Sequence, residues 1–244
     1  MRTQMIDFPE QQTLSVFPTE PSKLAQAISE LSLKGPYPVI VLIGGEVDEK
    51  QVDTVRRTIE TISRIAEDMH AAVICGGTDG GGLAEIGRIR ARESYKFPLI
   101  GVTPEELVTW PGGPRETKFL WWGKQRWQLE SHYSHFILVP GKQFGDESPW
   151  IVDTASLLSK DHQSVTILIS GGEVSRKDIQ LSLDNGRQVI VLSRTGGLAD
   201  ELARQPVRNN LMTVLPVNAD KSIAEVIHAA LSINEGREER VAIH

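Results

Sequence analysis

Cysteine is nearly missing from this chain of 244 residues: Cys75 is the single one. One thiol cannot close a disulfide within the chain or build a cysteine-ligated zinc site. Long apolar runs are missing too. The longest purely aliphatic stretches, such as Val39 to Ile43, fall far short of the roughly 20 residues a membrane-spanning helix needs. The opening MRTQMIDFPE holds no apolar signal-peptide core. Basic residues are not in excess: 26 Lys and Arg stand against 32 Asp and Glu, a net charge of −6. That balance argues against broad nucleic-acid binding, which needs cations to neutralise phosphates. The expectation is a soluble, cytoplasmic protein with no membrane segment and no nucleic-acid partner. Three signatures are absent as well: G-x-G-x-x-G, G-x-x-x-x-G-K-[ST] and G-x-S-x-G. Without them an ordinary NAD dehydrogenase, a P-loop NTPase and a nucleophile-elbow hydrolase all lose their carrier residues.

What is present is an alternation. Apolar residues make up 40% and charged residues 24%, which is globular rather than disordered composition. Short β-rich runs at 13–17, 39–43, 71–75, 98–102, 135–139, 165–169, 188–192 and 211–215 read as strands. Between them lie helical patterns near 24–31, 48–69, 83–92, 150–159, 174–184 and 198–204, with a last helix marked by Ile223, Val226, Ile227, Ala230 and Leu231. Asp48 or Glu49 is placed in the first turn of the second helix, where the helix dipole prefers an acid. Strands alternating with helices predict an α/β fold: a Rossmann-like three-layer sandwich around a mainly parallel sheet of seven or eight strands. Residues 1–244 read as one domain, and NEGREERVAIH at the end as a frayed helix end plus tail.

One segment breaks the rhythm. Residues 103–134 show no clear period, yet nine of the fourteen aromatics lie between 110 and 150. Trp110, Phe119, Trp121, Trp122, Trp127 and Tyr133 all fall in this insertion. A loop this long is a lid, a binding loop or a partner surface. The competing reading is a satellite core packed beneath it.

Glycine is ordinary in amount, at 21 residues, but not in position. Pairs or clusters follow successive strands: Gly44-Gly45-Glu46, then Gly76-Gly77-Thr78-Asp79-Gly80-Gly81-Gly82, then Gly171-Gly172-Glu173, then Arg194-Thr195-Gly196-Gly197. A fifth strand runs into Gly141 and Gly145. Such pairs allow positive φ in a tight strand-to-helix turn. They also let an anion approach backbone N–H groups at a helix start. In an open parallel sheet these loops share the carboxyl edge, where ligands bind. Five glycines in seven residues at 76–82 exceed what a turn needs, so that loop is the candidate phosphate cradle. A carboxylate beside a glycine pair repels phosphate, so Glu46 and Glu173 suit a ribose hydroxyl, a helix cap or acid–base work. Asp79 is placed as a cap on the helix beginning near Gly82. Arg194 and Thr195, at a strand end, are candidate phosphate donors. His132 and His135 enter a strand at a spacing that puts their rings on opposite faces, so no metal site is expected. Cys75 ends an aliphatic strand and reads as a small apolar core residue.

Four stretches carry a resemblance: VICGGTDGGGLAEIGRIRA (73–91), SHYSHFILVPGKQFGDE (131–147), ILISGGEVSRKDIQLSLDNGRQVIVL (167–192) and RTGGLADELA (194–203). Over about 37–215 the chain resembles the SLOG superfamily, closest to prokaryotic relatives of the N-terminal cytosolic region of TRPM ion channels. The resemblance implies a sheet that binds nucleotides or nucleotide-derived ligands such as ADP-ribose, mostly as a sensor. The channel relatives carry G-S-G-R-x-A-D where this chain has Arg194, Thr195, Gly196, Gly197, Leu198, Ala199 and Asp200. The enzymatic members, lysine-decarboxylase-like phosphoribohydrolases, carry P-G-G-x-G-T-x-x-E. Here that stretch reads from Ser170 to Asp178, with Val174 for the third glycine, Ser175 for threonine and Asp178 for glutamate. Val174 disfavours positive φ, and Asp178 draws the carboxylate back by about one methylene.

The expected function is a regulatory sensor of a nucleotide-derived ligand, assembling as a homo-oligomer and needing no resident cofactor. The alternative is a nucleoside-monophosphate phosphoribohydrolase that cleaves an N-glycosidic bond, with Glu173 or Asp178 as the acid–base residue. A third class is a scaffold that binds a partner through the aromatic loop.

Overall fold

The alternation of buried aliphatic runs and amphipathic stretches is realised as helices on both faces of one large sheet. The computed structural model describes residues 1–114, 126–160, 163–207 and 209–232. In chain order the first half contains β1 (Arg2–Asp7), β2 (Gln12–Phe17), α1 (Leu24–Glu30), β3 (Val39–Gly44), α2 (Val52–Asp68), β4 (Ala72–Cys75), α3 (Glu85–Arg92) and β5 (Leu99–Pro104). The segment after β5 carries β6 (Val108–Thr109) and β7 (Trp127–Gln128). The second half contains β8 (His135–Val139), α4 (Ser148–Ser159), β9 (Ser164–Ile169), α5 (Glu173–Asp184), β10 (Gln188–Ser193), α6 (Gly197–Ala203), β11 (Met212–Pro216) and α7 (Asp220–Leu231).

The main sheet has nine strands in the order β1-β2-β8-β5-β4-β3-β9-β10-β11. Only β1 is antiparallel, paired with β2. That edge strand is the addition to the eight read from sequence. Of its six residues only Ile6 is buried, so it shows no apolar alternation to read. The central strands are continuous aliphatic runs because helices cover both their faces. On one face α2, α3 and α7 bury Val55, Ile59, Ile62, Ile86, Ile89, Ile223 and Ile227 against the sheet. On the other, α1, α4, α5 and α6 bury Leu24, Ile151, Ala155, Ile179 and Leu198. Each large aliphatic side chain so buried contributes about 1.5–3 kcal/mol. The 3–4 spacing in α2 holds, but the helix starts at Val52. Asp48 instead closes the preceding turn, its Oδ1 accepting the Lys50 N–H at 3.0 Å. Asp53 is the acid of the first turn.

Strand order decides where the crevice lies. From β3 the chain steps outward through β4 and β5, then returns to place β9 on the other side of β3. The order therefore reverses between β3 and β9, and open α/β sheets bind ligands outside the carboxyl ends at such a reversal. The register aligns Gly44 with Ile169, and Leu192 with the same Ile169. The loops after β3, β9 and β10 thus leave the sheet level with one another. Among the described residues no helix is long and apolar enough to cross a membrane.

Candidate functional site

The carboxyl edge gathers the glycine loops predicted from sequence, and two of them prove locked to a neighbour. A methyl group at Gly44 would overlap the carbonyl oxygen of Ile169, and one at Gly197 the carbonyl oxygen of Gly171. One at Gly45 would lie 3.3 Å from the Gly171 Cα. Hydrogen bonds join the same loops. Ser170 Oγ donates to the Glu46 carbonyl at 2.7 Å. The Leu198 and Ala199 N–H groups donate to Gly171 and Ser170 carbonyls at 2.8 and 3.0 Å. Here glycine serves the approach of one backbone to another.

Thr195 belongs to that junction. It is fully buried; its hydroxyl donates to the Leu192 carbonyl and accepts the Ser170 N–H, both at 2.7 Å. Arg194 is exposed and sits in the left-handed region at φ +65°. Asp200 Oδ1 holds this turn by accepting the Arg194 N–H at 2.5 Å and the Thr195 N–H at 3.3 Å. Gly196 lies in the same turn at φ +94°. Ser170 is left-handed too, at φ +57°. Proline cannot reach that φ, so this loop is built differently from one that starts Pro-Gly-Gly. Val174 lies within α5, where the backbone is helical and no glycine is called for.

Two helices start at this edge with different fates. The first N–H groups of α6 are taken by Ser170 and Gly171. No side chain caps α5 at Gly172, and nothing lies within 4 Å of where a Gly172 Cβ would be. The first turn of α5 is therefore the positive end of a 12-residue helix with no side-chain cap.

The 76–82 loop is held from outside. The segment that closes the aromatic insertion lies across it. The Asp79 N–H donates to the Gln128 carbonyl at 2.7 Å and the Glu130 N–H to the Gly77 carbonyl at 3.0 Å. Thr78 forms an antiparallel bridge with Leu129. Gly77 packs on Gly101, Gly80 on the Trp127 ring, and Gly82 on Val47. Gly81 turns at φ +67° beside the Gly45 carbonyl. Gly76 has nothing within 4 Å of its Cβ position. Asp79 does not cap the helix. It pairs with Arg88 of α3 at 2.5 Å, and no side chain caps the turn at Gly81. Glu46 is exposed. Beside it opens a cavity of about 310 Å³ lined by Arg56, Gly81, Gly82, Glu85 and Arg88.

The two candidate acid–base residues are separated by their surroundings. Glu173 stands in solvent, its side chain 88% exposed and 3.5 Å from Arg176. Asp178 is buried, with the Ser148 hydroxyl beside its carboxyl. Burial raises the Asp178 pKa. Glu147, missed from sequence, is buried as well. Burial lifts its carboxyl to about 7, against the Gly145 N–H it accepts at 2.7 Å, with Asp178 and Asp146 adding to the rise. Its polar sequence neighbourhood gave no burial signal.

The aromatic insertion divides. Trp110 is buried in the core. Tyr133 stacks on Phe136 at 5.5 Å, satisfying the packing reading. Trp127 remains 39% exposed. Phe119, Trp121 and Trp122, and the tail 234–244, lie outside the described residues. His132 Nδ1 lies 2.5 Å from the buried Glu130 Oε1, and His135 Nδ1 lies 2.8 Å from Ser134 Oγ. Burial pushes the Cys75 thiol to about 12, so it stays protonated, 2.8 Å from the Tyr133 hydroxyl.

The family described as SLOG in TRPM, prokaryote, matches over residues 37–241. A solved structure titled as TM1055, a structural genomics target, superposes with a TM-score of 0.54 at 16% identity. That likeness covers 79% of this chain and 99% of the other, and it shows the fold alone. No curated protein sequence matches the chain.

Proposed function

The chain belongs to the prokaryotic SLOG-in-TRPM family, and from that footing we propose that it binds a nucleotide-derived ligand of the ADP-ribose type as a regulatory sensor. The observation that carries the proposal is the uncapped start of α5 at the reversal of strand order. A diphosphate there meets first-turn N–H groups and the helix dipole in a crevice already suited to anions. Arg194, exposed on the loop bonded to Ser170, supplies a guanidinium for the same charge. Glu46, exposed on the facing loop, accepts from ribose hydroxyls. Gly76 and Gly172 leave open space on the two sides of the rim.

Binding is favoured over glycosidic hydrolysis by the state of the acids. Acid–base catalysis needs a carboxyl at the reacting atoms with a tuned pKa. Asp178 is sealed beneath the protein surface and Glu173 stands free in solvent. Thermal-shift measurements with ADP-ribose, NAD, AMP and cyclic nucleotides test the proposal. At least one is expected to raise the unfolding temperature in a concentration-dependent way. A folded protein that responds to none of them overturns it.

A further inference from the structure

The loop between β8 and α4 is fixed from within, yet it leaves its aromatic ring in solvent. Asp146 Oδ2 accepts the Lys142 and Gln143 N–H groups at 2.8 and 3.3 Å, and Glu147 Oε2 accepts the Gly145 N–H at 2.7 Å. Lys177 of α5 donates to the Gly145 carbonyl. Gly145, at φ +99°, lets the loop lie on the helix: a Cβ there would meet Val174 Cγ2 at 3.5 Å. Phe144 beside it remains 40% exposed and Val174 36%. Between loop and helix runs an open groove of about 550 Å³. Phe144, Val174 and Leu181 line it with apolar surface, and Gln143 and Gln180 line it with amides. Large apolar side chains held together in water mark a contact site. Apolar walls with a few polar groups suit a small molecule. The position of the groove selects the kind of molecule. Glu173 and Val174, in the first turn of α5, both line it, so it opens beside the helix start.

We infer, building on the diphosphate site proposed at the start of α5, that this groove holds the base of the nucleotide-derived ligand, stacked on Phe144. Val174 and Leu181 add apolar contact beside the ring. Stacking tolerates any base, because every base has a π-face. Side-chain amides carry both donors and an acceptor, so Gln143 and Gln180 meet an amino or a carbonyl edge alike. The site therefore selects for an aromatic base without selecting strongly among bases.

Calorimetric titration of ADP-ribose, its hypoxanthine counterpart and inorganic diphosphate into the full native chain, Phe144→Ala and Phe144→Trp tests this assignment. Phe144 is exposed, so both variants are expected to fold. Phe144→Ala is expected to weaken ADP-ribose about five- to hundredfold and to leave diphosphate unchanged. Phe144→Trp keeps a ring, and its affinity for ADP-ribose is expected to stay within about threefold of native or to rise. The hypoxanthine counterpart is expected to bind the native chain within about threefold of ADP-ribose. Equal ADP-ribose affinity in the native chain and Phe144→Ala overturns the base groove and leaves the diphosphate site standing. Equal losses in both variants overturn stacking as the means of holding the base. A native chain that binds neither ADP-ribose nor diphosphate overturns the groove and the diphosphate site together.

Discussion

Two halves of the carboxyl edge use glycine for opposite purposes. On one, the loops after β3, β9 and β10 are bonded to each other, and glycine is there because another backbone occupies the place of a side chain. On the other, the 76–82 loop is strapped by residues 127–130. Gly76 there, like Gly172 at the boundary, borders open space. Carboxylates do not follow that division: Glu147 and Asp178 are buried at the start of α4 and within α5, while Glu46 and Glu173 on the locked loops and Asp79 on the strapped loop are exposed. Glycines in similar sequence contexts thus make room for a backbone at Gly44 and Gly197 and border open space at Gly76 and Gly172.

The strongest way to break this comparison is Gly44→Ala. Its methyl meets a strand carbonyl rather than a yielding side chain, so a loss of about 3 kcal/mol is expected by denaturant unfolding. A loss below about 0.5 kcal/mol says the locked half is not locked.

A smaller effect concerns the buried acids. Glu147 has a folded-state pKa of about 7, against 4.5 for the free group. The native state therefore holds this proton longer than the unfolded state. Its contribution is complete below pH 4.5 and is lost as pH rises through 7. His135 runs the other way: burial lowers its pKa to about 4 from 6.5, so its contribution is lost as pH falls through 4. Subtracting the stability profile of Glu147→Gln from that of the native chain isolates the first effect. The difference is expected to change by about 3 kcal/mol between pH 4.5 and 8. A flat difference places Glu147 in contact with solvent.

Much of this fold was legible because aliphatic strands and amphipathic helices announce themselves by period. β9, read as 165–169, spans Ser164–Ile169, and β8 was placed to the residue. β1 escaped because it buries one side chain of six and is fixed by its partner strand. The glycine positions pointed to the right edge of the sheet, but not to which glycines face another backbone. That depends on register, as when Gly44 falls opposite Ile169. Thr195 reads as a phosphate donor in sequence, yet its hydroxyl joins two loops, a contact between residues 25 apart. The burial of Glu130 and Glu147 and the strap over the 76–82 loop were invisible because tertiary packing rather than local pattern sets them.

The most direct test is calorimetric titration of ADP-ribose into the native chain and Gly172→Ala. No neighbour lies within 4 Å of the added methyl, so the variant is expected to fold with stability changed by less than about 1 kcal/mol. The methyl stands at the first turn of α5, where the diphosphate is proposed to sit. The account predicts binding by the native chain and an affinity about tenfold lower in the variant, about 1.4 kcal/mol. No heat of binding in the native chain, or equal affinity in both, would contradict it.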